Sequence, residues 1–324
     1  MRHGLTLACA MALTIGATSL PAHAQDGPSV LAQQRIEVGG AVITPGLTYS
    51  TLNGFRPLTL DLYRPKTQAG PVPLVLWVHG GGWTGGSPRG DMLGRDGARF
   101  FADLAARGYV VASVTYRFSG EARFPAQIQD VKSSIQWLRG HAAEYGIDPA
   151  RVVLMGGSAG GYLSALGGLS CGDKSLDPPA PAGAAAGAAP PSNCVSAAVA
   201  MYPIVDLRSH SVYIPASGVS ARSPQRLLGC DVVAACDPAR LASSDVLAHA
   251  DPKDPPFLIF HGDADVTVSP DQSRMLLAAL KAKNVPAELI IVPGAVHGFG
   301  NVTDAQRTDI TQRLYRFIDE HTRR

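Results

Sequence analysis

The stretch Val152-Val153-Leu154-Met155-Gly156-Gly157-Ser158-Ala159-Gly160-Gly161 constrains this chain more than any other. Four apolar residues run into a serine boxed by glycines, and a segment of helical character follows. The pattern is G-x-S-x-G, with Gly156, Ser158 and Gly160 in its fixed places. A strand that reverses sharply into a helix pushes its turn residue into a strained backbone conformation, and the flanking positions have no room for a β-carbon. The serine oxygen is then held out above the sheet edge. The backbone N–H of Ala159 points into the same space from the start of the helix, where unpaired N–H groups favour negative charge. A serine hydroxyl is a weak nucleophile until a base takes its proton. The stretch therefore predicts a histidine and a carboxylate further along the chain.

The remainder of the chain alternates between two periods. From residue 49 to 63 the period is two, with Leu58, Leu60 and Leu62 facing opposite to Thr59, Asp61 and Tyr63. This predicts a strand near a sheet edge with one face wet. The runs Leu74-Val75-Leu76-Trp77-Val78 and Tyr109 to Val114 are continuously apolar, as expected of strands buried on both faces. Further strands are expected at 195–202, 257–260 and 288–292. Helices are expected at 100–107, from Pro125 onward, and at 158–169, 272–282 and 305–320. The helix after Pro125 carries Ile128, Val131, Ile135 and Leu138 at three- and four-residue steps. Such alternation implies an α/β fold, a mostly parallel sheet with helices on both faces, and ligand chemistry at the carboxyl ends of its strands. Two segments break the rhythm. Residues 171–194 are dominated by Ala, Pro and Gly and are expected as a flexible surface insertion. Residues 204–254 are expected as an irregular, cap-like excursion with short helices over the site.

The amino terminus has a different character. Arg2 and His3 precede an apolar run from Leu5 to Leu20, and Ala22-His23-Ala24 is a small-x-small cleavage pattern. Residues 1–24 are expected to be a removable secretory signal, because the run is short for the ~20-residue span of a membrane helix. A loose leader is expected over 25–48 and a catalytic domain over 49–324, exported and without a membrane partner once the signal is gone. Of five cysteines, Cys9 leaves with the signal. Cys171, Cys194, Cys230 and Cys236 suggest two disulfides, with three possible pairings. Local pairing, Cys171 with Cys194 and Cys230 with Cys236, is the simplest, since each would staple one loop. The spacings match no zinc pattern, so no metal site is expected. Lys and Arg number 28 against 26 Asp and Glu, which gives no electrostatic case for a nucleic-acid partner.

Three stations then fall in order, each after an expected strand. Ser158 is the first. His261-Gly262-Asp263-Ala264-Asp265 is the second, and Gly294-Ala295-Val296-His297-Gly298 is the third. His297 would take the serine proton, and a carboxylate would orient the imidazole. Asp265 is favoured for that role, because it lies further past its strand, with Asp263 as a turn residue bonding its own backbone. His79-Gly80-Gly81-Gly82-Trp83 supplies the remaining part: successive glycines let backbone N–H groups approach an oxyanion unobstructed. Gly81 and Gly82, with Ala159, are the expected donors. His79 and His261 read as loop scaffolding. Trp83 is either a pocket wall or a loop anchor.

These motifs together resemble the α/β-hydrolase superfamily over about residues 50–320. The resemblance is to its esterase/lipase branch, including hormone-sensitive-lipase-like and feruloyl or acetylxylan esterase-like enzymes. It implies an eight-stranded, mostly parallel sheet and cofactor-free acyl transfer on a small-molecule or oligosaccharide ester, such as an acylated plant polysaccharide fragment. The alternatives are a peptidase or amidase of the same fold, and a hydrolase-like binding protein without turnover.

Overall fold

Apolar alternation on both faces of each central strand explains the sheet. In β4 (Val72–Val78), Leu74, Leu76 and Val78 face one core while Val75 and Trp77 face another. In β6 (Ile147–Gly157), Val152 and Leu154 oppose Val153 and Met155 in the same way. Successive side chains point to opposite faces, so a strand apolar throughout can be covered on both sides. The structure is a computed structural model that describes Met1 and residues 35–179, 189–213 and 222–323. The expected signal segment lies outside the described residues, save Met1.

Among the described residues nine strands form one sheet, in the order β1-β2-β3-β5-β4-β6-β7-β8-β9. The others are β1 (Ile36–Val38), β2 (Ala41–Ser50), β3 (Leu58–Pro65), β5 (Val110–Val114), β7 (Ala197–Met201), β8 (Phe257–Gly262) and β9 (Ala287–Val292). Pairing is antiparallel from β1 through β3 to β5, and parallel from there to β9. Helices α1 (Gly97–Ala106) and α9 (Asp304–Thr322) contribute to one core. Helices α2 (Ala126–Gly140), α4 (Ala159–Leu169) and α8 (Pro270–Ala282) contribute to the other, and the short α3 (Ala142–Tyr145) closes α2. All eleven residues of α4 are buried.

Three expectations need correction. The sheet has nine strands among the described residues, not eight. The leader expected over 25–48 contains β1 and most of β2, so the sheet begins at Ile36, ahead of residue 49. The segment 49–63 is not one strand with a wet face. Residues 51–57 form a turn, and β3 is sandwiched between β2 and β5. Both of its faces are covered: Tyr63 is 1% exposed, and Asp61 is 2% exposed, its carboxylate gripped by Arg89 and the Gly46 N–H. A buried polar residue that finds its partners reads as a wet position in sequence.

Between β7 and β8 the chain makes the cap-like excursion, with α5 (Leu207–Tyr213), α6 (Ser223–Leu228), α7 (Pro238–Ser244) and a 3₁₀ turn at Val246–His249. Cys230 and Cys236 are disulfide-bonded within it, and Cys171 is bonded to Cys194 at the base of the Ala/Pro/Gly insertion, of which residues 180–188 lie outside the described set. Among the described residues no helix is long and apolar enough to cross a membrane. Cross-linking restricts the unfolded chain more for longer loops. Spanning 23 residues, Cys171–Cys194 is expected to contribute about 3 kcal/mol, and Cys230–Cys236, spanning six, about 2 kcal/mol. Paired Cys→Ser variants followed by urea unfolding test this ranking; equal costs would contradict it.

Candidate active site

Ser158 sits where β6 turns into α4, with φ 58° and ψ −121°, a conformation a non-glycine residue adopts only under constraint. The surrounding backbone imposes it. A β-carbon on Gly160 would lie 2.0 Å from the Val78 carbonyl oxygen, and one on Gly156 would lie 2.4 Å from the Gly160 carbonyl oxygen. Only glycine at these two positions lets the helix start this close to the strands. The Ser158 N–H is held by the Met201 carbonyl at 2.9 Å.

Two loops bring the partners. The Ser158 hydroxyl lies 2.9 Å from His297 Nε2, and His297 Nδ1 lies 2.7 Å from Asp265 Oδ2. An ionised carboxylate only accepts, so Nδ1 carries the imidazole proton and Nε2 accepts from the serine. Asp265 is 2% exposed, and its Oδ1 accepts from the Thr267 and Val268 N–H groups at 2.8 Å each. Burial alone would raise its carboxyl. Hydrogen bonds from His261 and His297 and the Val268 N–H outweigh burial and hold it well below the usual carboxylate range. Asp263 is elsewhere: its Oδ1 accepts from the Gly294 N–H at 2.6 Å, so it braces the histidine loop rather than its own turn.

The Gly80-Gly81-Gly82 loop passes directly beside the serine. A β-carbon on Gly80 would lie 3.0 Å from the Gly157 carbonyl oxygen and 3.2 Å from Ser158 Cβ. Gly81 has φ 116°, and a β-carbon there would strike the Gly85 carbonyl oxygen at 2.3 Å. No acceptor among the described residues takes the N–H groups of Gly81, Gly82 or Ala159. Trp83 is a loop anchor: it is fully buried, packs edge-on against Tyr162 at 5.2 Å, and its carbonyl accepts from the Ser119 N–H at 2.7 Å. The cleft over Ser158 encloses about 430 Å³.

A sequence model of the BD-FAE family matches residues 60–280. The chain belongs to the BD-FAE family. It lies in the esterase/lipase branch of the α/β-hydrolase superfamily. His297 lies beyond the matched span. The BD-FAE chain is 30% identical over 254 residues to Esterase LipC of Mycobacterium tuberculosis, covering 78% of this chain and 59% of the relative. It spans only 58–60% of the length of the three curated mycobacterial relatives LipC, LipQ and LipM. Among solved structures, a truncated carbohydrate esterase from gut microbiota superposes with a TM-score of 0.65 at 27% identity, over 85% of this chain and 96% of that one. Thermogutta terrifontis esterase 2 phosphoramylated by tabun also gives 0.65 at 27% identity, over 88% and 96%.

Several residues around the BD-FAE site have no sequence signature. Tyr202 sets its ring edge-on to His297 at 4.8 Å, and Tyr213 in α5 donates its hydroxyl to the Asp265 carbonyl at 2.9 Å. Tyr202 directly follows β7 and Tyr213 ends the short α5, so only their position after β7 could have flagged them. His261 is fully buried as scaffolding, between Ser273 Oγ at 2.7 Å and the Val268 carbonyl at 3.0 Å. His79 stacks on Tyr116 at 4.5 Å, and burial lowers its pKa to about 4. His210 in α5 is 1% exposed, and burial, then the charge of His297, lowers it to about 4 as well.

A histidine neutral in the fold and basic when unfolded gives the unfolded chain more bound protons between its two pKa values. Stability then rises with pH across that window. His79 and His210 contribute fully above about 6.5 and lose their contribution as pH falls toward 4, up to about 2 kcal/mol each by pH 5. Asp254, raised to about 7 by burial, acts oppositely in the same window, so a difference measurement is needed. The Tm of His210→Gln relative to the parent is expected to improve as pH falls from 7 to 5. A pH-independent difference would refute this.

Proposed function

We propose that this BD-FAE member is an exported serine carboxylesterase in which Ser158, His297 and Asp265 act as a triad. The observation that carries the reading is the unbroken relay Ser158 Oγ–His297 Nε2–Asp265 at 2.9 and 2.7 Å. Esterase relatives over most of the chain's length support it. Ser158 Oγ attacks the ester carbonyl carbon while His297 Nε2 takes its proton. The carbonyl oxygen becomes an anion, which the N–H groups of Gly81, Gly82 and Ala159 receive. Each such donor is worth roughly 3–4 kcal/mol in comparable sites. The ionised Asp265 stabilises the imidazolium without taking the proton. His297 then protonates the departing alkoxide, leaving an acyl-serine. Water deprotonated by His297 attacks that acyl group, and the acid leaves as the serine regains its proton.

The cleft supports a small acyl group on a hydroxylated alcohol. Besides glycines, its wall carries Thr84, Ser87, Ser223 and Thr267 beside the rings of Trp77 and Tyr202, and among the described residues no leucine, isoleucine or phenylalanine. A long acyl chain would gain little there, since transfer energy scales with apolar area buried. With a carbohydrate esterase among the structural relatives, an acylated plant polysaccharide fragment is the proposed natural substrate. The two disulfides and the amino-terminal segment support export.

With p-nitrophenyl esters, kcat/KM is expected to fall at least tenfold from acetate to decanoate. Ser158→Ala should lose on the order of 10⁴- to 10⁶-fold and no longer react with a fluorophosphonate. Full activity in Ser158→Ala, or no turnover of any ester by the parent, would overturn the reading.

A further inference from the structure

Beside the cleft over Ser158 lies a second recess of about 530 Å³, whose lining includes Ser119, Arg123, Arg222, Gln225, Arg226 and Cys230. Both of its walls abut the donor loop. On one side Ser119 is tied through its N–H to the Trp83 carbonyl at 2.7 Å. On the other, Ser223, the neighbour of Arg222, puts its hydroxyl 2.7 Å from where a Gly82 β-carbon would stand. The walls are joined to each other by the Phe124 N–H, which donates to the Leu227 carbonyl at 2.9 Å. The Arg123 side chain lies against the backbone of Gly229, where φ is 71° and a β-carbon would come 2.3 Å from Arg123 Nε.

The charge in this recess is unbalanced. Arg123, Arg222 and Arg226 are exposed, and none of their guanidinium groups has a hydrogen bond or ion pair among the described residues. Most arginines elsewhere are matched, as Arg89 is with Asp61 and Arg117 with Asp130. The nearby carboxylates are already engaged. Glu121 takes Arg56 Nε at 2.8 Å and the Phe118 N–H at 2.7 Å, and Asp231 turns back to the Val233 and Ala234 N–H groups. Residues 214–221, which precede Arg222, contain no acidic side chain. The cleft over Ser158 has a different character: among the described residues its lining carries the carboxylate of Asp91 and no Arg or Lys.

We propose that the recess is a subsite for substrate carboxylates, so that the enzyme acts on esters of acidic, uronate-bearing oligosaccharides. This rests on the esterase reading and narrows it to a substrate class. Guanidinium groups suit the role because each can meet a carboxylate with two parallel N–H donors. Three guanidinium groups without an ion pair among the described residues also raise the local concentration of an anionic substrate, an effect that salt removes.

The test compares O-acetylated trigalacturonate with O-acetylated xylotriose, read as the ratio of their kcat/KM values, in which losses common to both cancel. The parent is expected to favour the acidic trimer at 20 mM salt and to lose that preference at 0.5 M. In Arg123→Gln/Arg226→Gln the ratio should fall on the order of tenfold. Unacetylated trigalacturonate should inhibit p-nitrophenyl acetate hydrolysis by the parent, and about tenfold more weakly in the double variant. A ratio near one in the parent, a ratio unchanged in the double variant, or no inhibition by the trimer would overturn the subsite. Absence of p-nitrophenyl acetate turnover would instead overturn the esterase reading.

Discussion

The contact between Gly160 and the Val78 carbonyl sets the geometry of the whole site. It lets α4 begin hard against β4, and this forces Ser158 into its φ 58° conformation. Strain of that kind costs roughly 1–3 kcal/mol and survives only where the surroundings over-determine it. Here the surroundings are a helix whose every residue is buried and strands paired on both sides. The packing enthalpy of two cores keeps one backbone torsion in place.

Electrostatics then works on that fixed point. A carboxylate shut away from water would ordinarily neutralise itself. Asp265 stays ionised because it accepts from two backbone N–H groups and faces two imidazoles. His261, at 3.4 Å from Asp265 Oδ2, is itself pinned by Ser273 and the Val268 carbonyl. The orienting charge behind His297 is thus as preorganised as the serine in front of it, and both lie at the carboxyl ends of parallel strands, where helix starts and loops converge.

Much of this was legible in the sequence because it rests on local chemistry. The strand–serine–helix turn needs glycines, so Gly156 and Gly160 announce it. The central strands are apolar throughout, so 74–78 and 110–114 announce themselves. Asp265 was favoured over Asp263 by reach, and the two meet the same loop at different points, Asp265 at the His297 ring and Asp263 at the Gly294 N–H. Other features were hidden for physical reasons. Asp61 looks like a wet residue because its partner Arg89 is 28 positions away. The edge strand β1 is only three residues long and its neighbour β2 is interrupted by Pro45-Gly46, so neither shows a period that separates it from a leader. Tyr202, Tyr213 and Ser223 owe their importance to the ends of β7, α5 and α6, and helices as short as these last two have too few turns to show a period.

The excursion that carries α5 to α7 leaves from β7 and returns to β8, which are hydrogen-bonded neighbours. Because the two strands run parallel, the excursion leaves at the carboxyl end of β7 and crosses back to the amino end of β8, so its length is free of the sheet's register. Tyr213 and Ser223 reach the reacting centre from this one loop, while Ser158, Asp265 and His297 are supplied by others. The segment that walls the cleft beside Gly82 is thus the same one that ties Asp265 from behind, so a change in its path would be felt by the wall and by the carboxylate together.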